Sequence, residues 1–306
     1  MNIKVSVIIP TYKRSEDIAR AVDSVLAQTI DSFEIIVVDD NGVGTTDGDK
    51  TAAVMEKYKD NPCVKYLRHE INKNGSAARN TGILASCGEY ISFLDDDDTY
   101  RPERLQAMYE RLESMDEAWG ACYTGYVKHM ANGTKQYSAE KNEGDLFLQA
   151  LMRALYIGSG SNLFFRRSVV EDIGLFDVSF RRNQDLEYLV RVLKKYKMAY
   201  VDEVLMDIYY DVRTVHLTRA QSIEREKLFR ERFAPYLEGL SKKEIREILI
   251  MYAIDNMRSA VSGKRYGEAI GIMLRERVPV KTLIQYAVYI YDRKKNNTCY
   301  GFVVRL

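Results

Sequence analysis

IKVSVIIPTYKRSEDIARAVDSVLAQTIDSFEIIVVDDNG, residues 3–42, is the stretch whose reading decides the fold. Its first seven residues, IKVSVII, are a continuous apolar run rich in β-branched side chains, as expected of a parallel strand covered on both faces. Ser15 then offers a helix N-cap with Glu16 and Asp17 in the first turn, and Ile18, Ala21, Val22, Val25 and Leu26 recur at helical spacing. FEIIVV, residues 33–38, is a second buried strand. Strand, helix, strand in this order is the repeating unit of a parallel α/β sheet.

The unit continues on the C-terminal side. A helix is predicted near 48–59, a short strand at 63–67 (CVKYL), a helix near 76–86 and a strand at 89–94 (EYISFL). Such alternation predicts a doubly wound sheet. Pro102 suits the first turn of a further helix whose apolar side carries Leu105, Met108, Tyr109 and Leu112. Beyond it the order changes: strands at 119–126, 161–165, 198–202 and 204–210 alternate with helices near 145–155, 167–173 and 184–196, a mixed second half. From about residue 220 only helical periodicity remains, over 221–238, 241–261, 264–275 and 280–292. The expected division is an α/β domain over 1–215 and a helical C-terminal appendage over 216–306.

Composition narrows the function classes. Of 306 residues, 46% are hydrophobic and 29% charged, which excludes a disordered or low-complexity scaffold. Lys plus Arg (45) and Asp plus Glu (44) nearly cancel, so no overall basic field points to nucleic acid. Cys63, Cys87, Cys122 and Cys299 form no CxxC pair and have no neighbouring histidine, so neither a zinc site nor a disulfide framework is expected, and a reducing cytoplasm fits. The opening apolar run ends at Pro10 without a cleavage site and reads as a strand, not a signal peptide.

In an open α/β sheet, ligands bind beyond the carboxyl ends of the strands. Here those positions hold Pro10-Thr11-Tyr12-Lys13-Arg14, Asp39-Asp40-Asn41-Gly42 and Asp95-Asp96-Asp97-Asp98. Acidic residues at two neighbouring strand ends repel unless a cation or donors lie between them, so a ligand is implied. No GxGxxG follows either strand, which argues against a dinucleotide. The DDDD run suits Mg²⁺ or Mn²⁺, which takes one or two protein carboxylates and completes its shell with phosphate oxygens and water. Its bland alternative is a solvated loop, or a charge bias toward the next helix, a part that suits Asp98. Asn74-Gly75 precedes a helix with Arg79 and Asn80 in its early turns, where an anion contact or simple packing both fit. Asp185 lies at a loop-to-helix junction suited to a general base. Glu187 points elsewhere on that helix, and Asp207 and Asp211 read as surface residues flanking a strand.

Taken in order, VSVIIPTYKR (5–14), SVLAQT (24–29), FEIIVVDDN (33–41), GSAARNTGI (75–83), GEYISFLDDDDTYRPERL (88–105), GLFD (174–177) and NQD (183–185) resemble glycosyltransferase family 2, inverting enzymes of GT-A fold. The resemblance implies a GT-A type nucleotide-binding sheet flanked by helices, a nucleotide-diphosphate sugar donor, often uridine-based, and a divalent metal on its pyrophosphate. Carried over, Pro10, Thr11 and Tyr12 form the wall for the base with Arg14 close by, and Asp40 accepts from the base. Asp95 and Asp97 match the ends of the DxD motif, Asp96 reaches the ribose, Asp97 is the metal ligand, and Arg79 belongs to the donor site. Asp185 falls at the catalytic base, where Gln184 replaces the family's usual glutamate. Arg213 and His216 match a loop that contacts the pyrophosphate.

The implied activity is a metal-dependent (Mn²⁺ or Mg²⁺) hexosyl- or N-acetylhexosaminyl-type transfer to a hydroxyl of a saccharide or lipid-linked acceptor in cell-surface polysaccharide synthesis. A nucleotidyltransferase of related sheet, a glycoside hydrolase and a non-catalytic nucleotide-sugar binder are the rivals. Residues 271–306 add one further feature, with seven Lys or Arg against two acids, a net of +5. Leu283, Ile284, Ala287, Val288 and Tyr291 recur on one side of the last helix. That composition suits either peripheral contact with the inner face of a membrane through 275–306 or a packed helix in a domain or dimer contact.

Overall fold

The computed structural model describes residues 3–210 and 219–306. The chain forms two compact units, Met1–Asp145 with Ile157–Thr214, and Leu146–Tyr156 with Val215–Leu306. The first contains strands β1 (Val5–Thr11), β2 (Phe33–Asp39), β3 (Val64–Arg68), β4 (Tyr90–Phe93), β5 (Thr99–Tyr100), β6 (Trp119–His129), β7 (Lys135–Ser138), β8 (Phe164–Arg166) and β9 (Lys197–Tyr209). Its helices are α1 (Ile18–Leu26), α2 (Thr46–Met55), α3 (Gly75–Ala85), α4 (Arg104–Glu113), α6 (Arg167–Ile173) and α7 (Gln184–Leu193), while the short α5 (Phe147–Leu151) belongs to the second unit.

Within the first unit the strand order is β7-β6-β8-β4-β1-β2-β3, and β9 pairs with both β6 and β5. β3, β2, β1 and β4 run parallel, β8 is antiparallel to β4 and β6, and β6 and β9 are parallel. This is a mixed sheet flanked by helices, of GT-A type. The apolar runs became its center: Val5, Val7, Ile8, Ile9, Ile35, Ile36, Val37, Val38, Ile91 and Phe93 are all fully buried. Register fixes what lies beyond them. Thr11 sits level with Asp39 and Ile8 level with Phe93, so the polar residues after β1, β2 and β4 emerge at one edge. α3 approaches β1 closely because Gly82 has no side chain, and a Cβ there would lie 2.3 Å from Ile8 Cγ2.

Three expectations needed correction. The strands read at 198–202 and 204–210 are one strand, β9. Glu203, the residue left between them, lies at an irregular register opposite Gly125, where a Cβ would come within 2.8 Å of the Glu203 carbonyl oxygen. Of the strand read at 161–165, residues 161 and 162 belong instead to a single 3₁₀ turn, Gly160–Asn162, and the strand is β8. The fully buried Asn162 side chain explains that turn: it donates to the carbonyls of Thr124 and Ile157 (both 2.8 Å) and accepts from the Thr124 N–H (3.0 Å). The two short strands β5 and β7 were not expected.

The second unit is helical, with α5, α8 (Arg219–Phe233), α9 (Lys242–Ser262), α10 (Tyr266–Arg275) and α11 (Val280–Asn296). Ser241 and Glu244 close a capping box at the start of α9. Phe229, Phe233, Ile248, Met251, Tyr252, Ile254, Ala269 and Ile272 supply its buried residues, and Tyr252 Oη donates to the Leu151 carbonyl at 2.8 Å. Among the described residues no helix is long and apolar enough to cross a membrane, and all four cysteines are free.

Candidate active site

Backbone geometry at the strand ends is set before any side chain is considered. Lys13, just past β1, adopts a left-handed conformation (φ 58°), and its N–H donates to Asn41 Oδ1 at 2.7 Å, tying the first strand end to the second. Asn74 (φ 80°) and Asn183 (φ 57°) are also left-handed and lead into α3 and α7. Asparagine tolerates this region better than most residues. Asn74 Oδ1 also caps α3 by accepting from the N–H groups of Ser76 (2.9 Å) and Ala77 (3.2 Å).

The β1 end gives Pro10 and a buried Thr11, followed by Tyr12, which is 45% exposed with the Lys13 ammonium 5.2 Å from its ring centroid. Asp40, after β2, is buried and already held by three protein donors. Its Oδ1 takes His69 Nδ1 and the Lys73 N–H (both 2.7 Å), and Oδ2 takes Asn72 Nδ2 (2.8 Å). The His69 ring is itself anchored by Thr81 Oγ1 at 2.9 Å. One acceptor position on Oδ2 remains for a ligand donor.

The four aspartates after β4 have four different environments. Asp95 pairs with Arg79 Nη2, and its backbone N–H donates to Ser161 Oγ at 2.9 Å. Asp96 is buried, with Arg14 Nη1 3.1 Å from Oδ1 and the Tyr12 N–H 3.3 Å from Oδ2. Burial outweighs the Arg14 attraction and lifts its carboxyl to about 7. Asp97, 17% exposed, also pairs with Arg14 Nη1. Burial first and Asp95 second push it up to about 6, against the pull of Arg14. Asp98 is fully enclosed and accepts from Ser161 Oγ (2.6 Å), Ser159 Oγ (3.0 Å) and the Tyr209 N–H (3.2 Å). The reading of Asp98 as a charge bias toward a helix therefore gives way to a buried clamp joining the β4 end to the 159–162 turn and to β9. Burial and the neighbouring Asp95 and Asp97 raise its pKa, while the serine hydroxyls oppose that.

Asp185 comes to the same place from the far side of the unit. Gly160 lies between it and Arg79: a Cβ on Gly160 would be 3.5 Å from Asp185 Cβ and 3.6 Å from Arg79 Nη2. Gly75 likewise faces Gln184 Nε2 and Arg79 Nη1. Burial raises the Asp185 carboxyl, with Arg79 opposing. The other acids considered are engaged elsewhere. Glu187 is buried and paired with Arg191 (2.7 and 3.0 Å). Asp207 is not a free surface residue: Arg101 Nε at 2.9 Å and His129 Nε2 at 2.7 Å hold its carboxyl below the usual range despite partial burial. Asp211, Arg213 and His216 lie outside the described residues.

The fit of a divalent ion rests on this donor set. Among the described residues no group of three His, Cys, Asp or Glu converges on a metal position. Asp95, second to burial, raises the Asp97 carboxyl, so the two carboxylates interact, while each is also paired with an arginine, Asp95 with Arg79 and Asp97 with Arg14. That suits an ion with one or two protein ligands and a pyrophosphate to complete its shell. Sequence reasoning missed Arg20, whose Nη2 donates to the Asp97 carbonyl at 2.7 Å and whose guanidinium lies 4.2 Å from the Tyr209 ring centroid. It also missed the turn at 159–162, although the run Gly158-Ser159-Gly160-Ser161-Asn162 was a turn signal in plain view. A cleft of about 1130 Å³ in the second unit is lined by charges that neutralise one another, such as Arg153 with Asp255 (3.0 Å) and Arg230 with Glu226 (2.7 Å), and offers no comparable site.

A GT-A type sheet with carboxylates and arginines gathered beyond its strand ends is common to glycosyltransferases and nucleotidyltransferases of related sheet, and the family match separates them. The glycosyl transferase family 2 model matches residues 6–174, and the chain belongs to that family. It is 30% identical over 250 residues to an uncharacterised glycosyltransferase of Rickettsia typhi, covering 79% of this chain and 74% of that one. It is 27% identical over 207 residues to WcaA of Escherichia coli, a glycosyl transferase provisionally named for colanic acid biosynthesis, covering 64% and 68% of the two chains. Among solved structures it is similar to Staphylococcus aureus TarS 1–349 in complex with UDP-GlcNAc, with a TM-score of 0.67 and 19% identity over 90% of this chain and 82% of that one. It is also similar to the mannosyltransferase PcManGT of Pyrobaculum calidifontis in complex with GDP-Man and Mn²⁺, with a TM-score of 0.59 and 17% identity over 95% and 81% of the two chains. At these identities the structural likeness speaks to the fold.

Proposed function

We propose that this chain is an inverting glycosyltransferase that moves a hexosyl or N-acetylhexosaminyl group from a UDP-sugar to a hydroxyl of a saccharide or lipid-linked acceptor, in the synthesis of a cell-surface polysaccharide. The observation that carries the reading is the approach of Asp185 to the Arg79–Asp95 pair beside Gly160, an acidic and basic cluster built from the β4 end, α3 and the start of α7. The UDP-GlcNAc bound by TarS supports the choice of donor, and the provisional name of WcaA supports the polysaccharide.

In this reading Tyr12 stacks on the base beside Pro10 and Thr11, and Asp40 accepts from the base through its remaining Oδ2 position. Asp96 faces the ribose while Arg14 neutralises it. Arg79 pairs with Asp95 and lends positive charge to the donor site. Asp97, with Asp95 behind it, would hold Mn²⁺ or Mg²⁺, which supplies stabilisation of the charge that builds on the leaving diphosphate. The acceptor hydroxyl is a poor nucleophile, and Asp185 takes its proton as the new bond forms, an effect of roughly 10²- to 10⁴-fold. Burial suits it to that task by raising its proton affinity. Attack from the face opposite the diphosphate inverts the anomeric center.

A screen of nucleotide sugars with Mn²⁺ and Mg²⁺, read by calorimetric binding and by release of nucleoside diphosphate, tests the assignment. Binding of UDP-sugars with metal supports it. Pyrophosphate released from a nucleoside triphosphate and a sugar phosphate in a parallel arm, with no nucleoside diphosphate released from any nucleotide sugar, would transfer the chain to the nucleotidyltransferases, and failure to bind any nucleotide sugar would remove the donor.

A further inference from the structure

The second unit has apolar surface where a helix packed on both sides would have none. On α11, Thr282 is buried, and Tyr286 and Tyr289 pack against Phe302 and Tyr300, with ring centroids 5.1–5.3 Å apart. Arg293 Nη1 joins that face by donating to Tyr289 Oη at 2.8 Å. The other side is apolar too, yet Val280, Ile284, Val288 and Tyr291 are 66%, 61%, 63% and 66% exposed. At about 100° per residue these four lie within an arc of about 80° and run for about 16 Å along the helix. α10 repeats the pattern. Ala269 and Ile272 are buried, while Tyr266, Ile270 and Leu274 are 60%, 56% and 67% exposed at intervals of four residues. Two successive helices thus each carry a packed apolar face and an exposed aliphatic stripe.

The charge around these stripes names their occupant. Lys264, Arg277, Lys281, Lys294 and Lys295 are all exposed. The acids of the segment are engaged: Glu268 with Arg265 (2.9 Å), Glu276 with Arg275 (3.2 Å), and Asp292 with Tyr300 Oη (2.7 Å). A twofold pairing of this surface with a second copy would set like charges face to face, which opposes self-association. An aliphatic stripe edged by lysines and ended by tyrosines matches an anionic lipid surface, where the apolar side chains enter the headgroup boundary and the lysines meet phosphates. We infer that α10 and α11 dock this protein on an anionic membrane surface, without crossing it. The inference rests on the transferase reading only for its purpose, which is to bring the catalytic unit to a lipid-linked acceptor.

Co-sedimentation of the full chain with vesicles of phosphatidylcholine, with and without phosphatidylglycerol, tests the docking directly. Binding is expected only with the anionic lipid and should weaken as salt is raised. Ile284→Asp with Val288→Asp should weaken it about tenfold or more, since both side chains would leave the boundary. Lys294→Ala with Lys295→Ala should weaken it roughly 30-fold, from about 1 kcal/mol per lysine near an anionic surface. Equal binding to both vesicle types, or parental binding by both variants, would overturn the inference. So would a parental dimer that Ile284→Asp with Val288→Asp converts to monomer, since a second copy would then cover the stripe. UDP-GlcNAc binding on the same samples separates the two proposals: loss of nucleotide-sugar binding with vesicle binding intact removes only the transferase reading, and the reverse result removes only the docking.

Discussion

With the ion assigned to Asp97 as proposed, lowering the pH should weaken metal binding, in a range where Asp96, raised to about 7, also takes up its proton. The Asp97 carboxyl, lifted to about 6 by burial and by Asp95, must lose its proton before it can hold a divalent ion. At pH 7.5 such a group is roughly 97% ionised and at pH 5 roughly 9%, so apparent affinity for Mn²⁺ should fall about tenfold, or about 1.4 kcal/mol. The assay is calorimetric titration of UDP-GlcNAc in the presence of Mn²⁺ from pH 5 to 8. A nucleotide sugar is preferred to free UDP because its pyrophosphate, esterified at both ends, has no proton that titrates in this range. Repeating the titration at pH 6 in buffers of different ionisation enthalpy should count about half a proton released per ion bound, falling toward zero at pH 8. The same shift carries a stability consequence of fixed sign. A carboxyl raised above its ordinary 3.8 favours the protonated native state, so its contribution is greatest in acid and is lost as pH rises through about 6. The ligand-free protein should therefore gain more thermal stability from Mn²⁺ and donor at pH 8 than at pH 5. A flat affinity between pH 5 and 8, or an unchanged pH slope in Asp97→Asn, would refute the assignment of the ion to Asp97.

Asp185→Asn should leave UDP-GlcNAc affinity nearly unchanged and lower turnover by roughly 10²- to 10⁴-fold; near-parental turnover in steady-state kinetics would remove it as the base. Glu187→Ala should leave Arg191 buried without its carboxylate and cost about 3–5 kcal/mol in urea unfolding, and a loss below about 1 kcal/mol would mean the pair is not the buried one described. Gly82→Ala should cost about 1–3 kcal/mol by driving a methyl into Ile8, checked by thermal unfolding, with no change expected if α3 can lift from β1.

The parallel half of the fold was legible because its strands are uninterrupted apolar runs, and a strand buried on both faces has no other way to be written. The strand ends were legible for the complementary reason: charge directly beyond such a run must emerge at the sheet edge. What the residues could not disclose was contact at long range. Asp96 and Asp98 look alike in a run of four aspartates, and only the approach of Arg14 to one and of Ser159, Ser161 and Tyr209 to the other separates them. Asp207 read as a surface acid because Arg101 and His129 lie far from it in sequence. β9 was split in two at Glu203, and nothing local announces that Gly125 on the neighbouring strand accommodates the irregularity there. On α11 periodicity identified an apolar side containing Ile284, Val288 and Tyr291, but a helix with apolar residues on two sides does not say which is covered.

The central claim is that carboxylates at the β4 end and at the start of α7 carry out inverting transfer from a nucleotide-diphosphate sugar. The most direct test incubates the chain with UDP-GlcNAc and Mn²⁺, with water or a supplied saccharide as acceptor, and follows the first turnovers by ³¹P and ¹H NMR. The account predicts UDP as the phosphorus product together with a β-anomer formed first from the α-linked donor, both lost in Asp185→Asn. An α-anomer formed first, or UMP and a sugar phosphate in place of UDP, would contradict it.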